Sequence, residues 1–160
     1  MERHNAELII KYYYAIPAMK RLLAEERRDL EEECFGVRGV AMDGMPHTTT
    51  PGRPVEAAAI AYEESGAAER CKEIAAKIDA LNRDAAKIRC SFDALNGKYK
   101  QVVMLRYGGS YSWGGISARM GVPDSTCRLW SRKAVECFGK AFAEEPEAHE
   151  ILARASHARV

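Results

Sequence analysis

A chain of 160 residues with 24 Lys/Arg against 23 Asp/Glu is close to neutral, at +1, and has room for one elongated helical domain or one domain with an extension. It holds no uninterrupted apolar run of about 18 residues, so no transmembrane helix is expected. The opening MERHNAELIIK has too short an apolar stretch for a signal peptide, and a cytoplasmic location follows as the expectation.

Residues 5–34 form the first long helical pattern, with Ile9, Tyr12, Ile16, Met19, Leu23 and Leu30 stepping by threes and fours apart from a break at Glu26. Pro17 interrupts it, so the pattern predicts either a short helix ending there or a kink, because Pro lacks the donor and crowds the carbonyl four residues back. Tyr12, Tyr13 and Tyr14 are best read as packing residues with some hydroxyls at the rim, rather than as a base-stacking platform. Arg27 to Glu33 is a charge run that suits a solvated helix face.

Residues 35–54 change character, with recurrent Gly and Pro and three consecutive threonines, and read as a connector. Its length is unusual for a loop inside a compact domain. His47 has no second ligand nearby and reads as a solvated loop histidine.

Residues 55–95 predict a second long helix. Cys71, Ile74, Ile78, Leu81, Ala85, Ile88, Phe92 and Leu95 alternate steps of three and four, which is a heptad seam. The seam can pair with the first helix in an antiparallel, coiled-coil-like hairpin, or with a second copy in a homodimer through 71–95, and the pattern leaves both open. Five cysteines (Cys34, Cys71, Cys90, Cys127 and Cys137), odd in number and without a Cys-x-x-Cys pair, argue against a disulfide framework or a metal site.

Asn96-Gly97 is a turn signal and places a domain boundary, with 1–95 on one side and a C-terminal module at 96–142 on the other. In that module Val102, Val103, Leu105 and Tyr107 give an apolar first helix, which Gly108 and Gly109 are expected to stop through the left-handed conformation. Ser110 or Ser112 can cap the next helix, whose Trp113, Ile116 and Met120 recur at helical spacing. Gly121 stands where a tight interhelix turn needs glycine, and Pro123 and Asp124 suit the start of a third helix. That helix has an apolar face of Cys127, Trp130, Ala134, Val135 and Phe138. The other face offers Ser125, Thr126, Arg128, Arg132 and Lys133. From 96 to 142 there are eight Lys/Arg against Asp124 and Glu136, a net of +6, while the rest of the chain sums to −5. Positive charge is therefore concentrated on the module, as a phosphate-binding surface requires.

The segment YSWGGISARMGVPDSTCRLWSRKAVECF, with MLRY before it, resembles the sigma-70 region 4 helix-turn-helix carried by phage regulators of the ArpU and RinA type. The stretch DGMPHTTTPGRPVEAAAI is similar to the linker of the same regulators. The resemblance implies an all-α fold, a helical hairpin followed by a helix-turn-helix. It also implies a sequence-specific transcriptional regulator, an activator of phage late genes, with RNA polymerase as a further partner. It places Asp124, Ser125, Thr126, Arg128, Leu129, Arg132 and Lys133 against double-stranded DNA. Two departures stand out. Gly114 and Gly115 replace polar helix formers, and read as mid-helix glycines they cost roughly 0.8–1 kcal/mol each. Pro123 replaces a residue whose side chain would cap the third helix.

Residues 143–160 carry four Glu and two Arg and read as an acidic tail, forming a weak helix from Glu147 to His157 or fraying. The alternative function, from a different class, is the DNA-recognition subunit of a phage packaging assembly resembling a small terminase. Enzymatic chemistry and cofactors are not expected: His4, His47, His149 and His157 are scattered, and no phosphate-cradling glycine loop occurs.

Overall fold

The computed structural model describes residues 1–35 and 66–158, and every regular element among them is helical. The all-α expectation holds. The six α-helices are α1 (Arg3–Phe35), α2 (Ala67–Asp93), α3 (Gly97–Val103), α4 (Trp113–Met120), α5 (Asp124–Phe142) and α6 (Ala148–His157). A π-helical stretch, Met104–Gly108, continues α3. Residues 36–54 of the expected connector, and the start of the helix expected from 55, lie outside the described residues.

Pro17 does not end α1, which continues through it to Phe35. Its ring is exposed, while Ala6, Ile9, Ile10, Tyr12 and Ile16 are buried just before it. Burying an Ile side chain is worth about 1.5–3 kcal/mol. Several such residues outweigh the roughly 3 kcal/mol that an interior Pro costs a helix.

The chain divides into two compact units, Met1–Pro17 with Leu81–Val160, and Ala18–Ala80. The division falls within α1 and α2, and Asn96 caps α3 by accepting from the Lys98 N–H. In the unit Ala18–Ala80 the expected solvated face is present: Arg27 pairs with Glu31 and Arg28 with Glu32 on an exposed surface of α1. Ala67, Cys71 and Ile74 supply its buried residues on α2.

In the other unit, the lower part of the heptad seam is buried within the single chain: Leu81, Ile88, Phe92 and Leu95 are all in the core. Phe92 meets Tyr13 at 5.1 Å and Phe138 at 4.7 Å between ring centroids, and Phe138 stacks on Phe142 at 5.6 Å. Tyr13 and Tyr14 are thus packing residues. Burial pushes the Tyr14 hydroxyl up to about 12. α1 approaches α5 closely at Gly139, where a Cβ would stand 3.1 Å from that of Ala6.

Asp84 is the buried charge of this core, at 2% exposure. Arg154 of α6 donates to both its oxygens, at 2.9 and 2.7 Å, and the Tyr12 hydroxyl donates at 2.9 Å. Burying a carboxylate is costly unless it is paired and hydrogen-bonded, and here one helix from each end of the chain supplies a partner. Residues 148–157 are therefore a packed helix rather than a fraying tail: Ala148, Ile151 and Ala155 are buried, and Glu147 pairs with Lys87 of α2.

Candidate nucleic-acid interface

The C-terminal module is built on a small apolar core. Val102 of α3, Ile116 of α4 and Cys127 of α5 are fully buried, with Leu105, Tyr111, Trp113, Met120, Val122 and Trp130 packed around them. Burial, and secondarily the nearby Asp124, push the Cys127 thiol up from its ordinary range, so it behaves as a small hydrophobe. Local chemistry sets the elements around this core. Ser112 caps α4 by accepting from the Gly115 N–H at 3.2 Å. Gly114 and Gly115 consequently lie in the first turn of α4 and not in its middle, and the penalty expected for mid-helix glycines does not apply in full.

The turn after α4 is tight. Gly121 takes the left-handed conformation, φ 65°, and its N–H bonds to the Ser117 carbonyl. The Ser117 hydroxyl donates to the Val122 carbonyl at 2.6 Å, bridging the turn. Pro123 immediately precedes α5 with extended ψ and no side-chain cap, and its carbonyl accepts from the Thr126 and Cys127 N–H groups.

The turn before α4 works differently from expectation. Neither Gly108 nor Gly109 has positive φ; Ser110 does, at 51°. The glycines are needed for space, since a Cβ at Gly108 would stand 2.7 Å from the Tyr14 ring and one at Gly109 2.5 Å from that of Tyr111.

α5 has two clean faces. Cys127, Ser131, Ala134, Val135, Phe138 and Phe142 are buried. Ser125, Arg128, Leu129, Arg132, Lys133 and Glu136 are exposed, at spacings of three and four that align them along one stripe. Leu129 stands among them, 49% exposed. Of the other two expected DNA-facing residues, Asp124 and Thr126 are half-buried at the helix start.

Arg128 is held in place. Its guanidinium makes two bonds to Asp124, both 3.2 Å, and lies 5.1 Å from the Trp113 ring centroid. Arg106 lies 4.9 Å from the same ring and donates to the Tyr111 carbonyl at 3.1 Å. Arg132, Lys133 and Lys140 have no ion-pair partner among the described residues.

Beside the stripe is a cleft of about 330 Å³. α1 contributes Arg3, Glu7 and Lys11; Arg106, Tyr107 and Trp113 form one wall. Arg128, Ser131 and Arg132 of α5 form the other. Burial, with Glu7 nearby, raises the Tyr107 hydroxyl above its ordinary range, and it shares a hydrogen bond with Ser131. The sequence pattern did not mark Arg3, Lys11 and Arg106 as neighbours of α5. The available signal was the polar row Arg3, Glu7 and Lys11 at four-residue spacing, opposite the buried Ala6, Ile9 and Ile10.

No protein-family model, curated protein or solved structure matches this chain. No group of three or more His, Cys, Asp or Glu that could hold a metal ion occurs among the described residues. No described helix is long and apolar enough to cross a membrane.

Proposed function

We propose that this chain binds double-stranded DNA through α5, working as the recognition helix of a helix-turn-helix formed by α4, the Gly121 turn and α5. One observation carries the reading: every member of the stripe Ser125, Arg128, Leu129, Arg132 and Lys133 is exposed while the opposite side of the same helix is core. A helix so divided can enter a major groove without unfolding anything. Arg128 and Arg132 suit guanine edges or phosphates, Leu129 suits a thymine methyl, and Ser125, Thr126 and Lys133 suit phosphates or bases. Glu136 follows the stripe and is the acidic residue of this exposed face.

The sequence likeness to phage ArpU and RinA-type regulators makes transcriptional regulation the context, with late-gene activation as its specific form. Burial of Leu81, Ile88 and Phe92 within one chain supports intramolecular use of the lower seam over a homodimer built on it. The test combines duplex affinity across a salt series with solution mass. A steep fall of log K with log salt, and a monomer or dimer mass, supports a regulator. A flat response removes DNA, and a closed ring of many copies points to packaging.

A further inference from the structure

The cleft beside α5 goes beyond the recognition helix. We propose that it is a phosphate site, in which Arg3 and Lys11 of α1, Arg106 and Arg132 close around a single phosphate group. The source of that phosphate, a backbone phosphate of bound duplex, rests on the DNA reading above; the chemistry of the site does not.

Four cations arrive from three separate parts of the chain, and a fifth, Arg128, borders them. The one carboxylate in the lining is Glu7, which is engaged with Arg3 at 3.0 Å. Lys11 and Arg132 have no ion-pair partner among the described residues. Like charges gathered around one space repel, and an anion placed among them relieves the repulsion and accepts charge-assisted hydrogen bonds. A second cavity of about 360 Å³ is lined by Lys11, Arg106, Tyr107 and Ser110, so Lys11 and Arg106 border both.

The site is also preorganised. The Tyr111 carbonyl and the Trp113 ring hold Arg106, leaving its remaining N–H groups for a ligand. The close packing of Ala6 on Gly139 fixes α1 against α5. The neutral hydroxyls of Tyr107 and Ser131 add polar groups that repel no anion. A cleft of this volume lies at the small end for ligand sites and suits a phosphate with its sugar better than a base pair. Arg132 belongs to both the cleft and the exposed stripe, so a duplex on α5 brings its backbone to the cleft.

The experiment uses the full chain with a mixed-sequence duplex across a salt series, and separately inorganic phosphate followed by tryptophan fluorescence. Lys11→Gln should lower the salt slope by about one unit, equally on every sequence. Glu7→Gln should tighten binding, a gain that a misfolded variant could not produce. Both results together, with no saturable response to inorganic phosphate, establish a backbone-phosphate site. An unchanged slope and affinity for both variants, while Lys133→Ala still lowers the slope, overturns the cleft and leaves the DNA reading standing. A chain that ignores duplex but binds inorganic phosphate, lost in Lys11→Gln, keeps the phosphate site and ends the DNA reading. Silence in both arms ends both.

Discussion

Two acidic residues, Asp84 and Asp124, have opposite significance. Asp84 is buried and held by Arg154 and Tyr12, so removing one partner strands charge in the core. Because Arg154 is itself 40% exposed, solvent softens the loss. Arg154→Ala should still destabilise the fold by about 1–3 kcal/mol, read by urea denaturation; an unchanged midpoint would contradict the role given to this pair. Tyr12 adds a pH dependence. Burial first, then its bond to Asp84, raise its hydroxyl well above the ordinary phenol range, and Tyr14 and Tyr107 are raised as well. The folded state then binds more protons than the unfolded chain above about pH 10, so stability present below that pH is lost as pH rises. Tyrosine absorbance should show a late-ionising group that titrates together with unfolding. Uniform titration near the ordinary value with no loss of helix would contradict it.

Asp124, in contrast, is a partner the protein can do without. An exposed pair spaced by four residues contributes only about 0.3–0.5 kcal/mol, and this one places negative charge where phosphates would approach. Asp124→Asn should leave folding almost unchanged and tighten duplex binding, whereas Arg128→Ala should weaken it by about 1–3 kcal/mol with relaxed base preference. Weaker binding by the Asp124 variant would show that the pair positions Arg128 for reading.

At the scale of elements, the glycines of the C-terminal module separate into those that serve geometry and those that do not. Gly121 occupies the left-handed region, so Gly121→Ala should cost about 1–2 kcal/mol. Gly114 has ordinary φ and open space around it, so Gly114→Ala should stabilise α4 by about 0.4–1 kcal/mol. Thermal melting of the two variants checks the signs, and a shared sign would contradict the account of α4 and its turn.

Elements whose cause is local were readable in the sequence. The Gly121 turn, the Asn96 turn and the two faces of α5 follow from chirality and helical spacing alone. Elements decided by tertiary packing were not. α1 runs through Pro17 because core burial outweighs a local penalty. Gly108 and Gly109 read as conformational stops, but it is the rings of Tyr14 and Tyr111 that exclude a larger residue there. α6 hid its packing because two of its three buried residues, Ala148 and Ala155, are small and Ile151 stands alone among them.

At the scale of the whole molecule, the compact unit holding the candidate interface joins Met1–Pro17 to Leu81–Val160. Its basic module is thus backed by the start of α1, the end of α2 and α6. Neither Asp84 nor Arg154 could be recognised as special in the sequence, since an acid on a charged helix and an arginine in an acidic tail, 70 residues apart, each read as solvated. A still longer separation in sequence kept Arg3 and Lys11 from being associated with α5. Deleting residues 146–160 should therefore lower the melting temperature and weaken DNA binding indirectly, because Asp84 loses its cation and Ile151 its place in the core. A truncated chain with wild-type melting would show α6 to be dispensable.

Selection from a random duplex pool tests most directly whether the exposed stripe of α5 reads duplex DNA. The wild-type chain should enrich a shared short sequence, and Arg128→Ala should lose preference at one or two positions while retaining others. A retained pool indistinguishable from the input, for a chain that is folded by its far-ultraviolet spectrum, would contradict the claim.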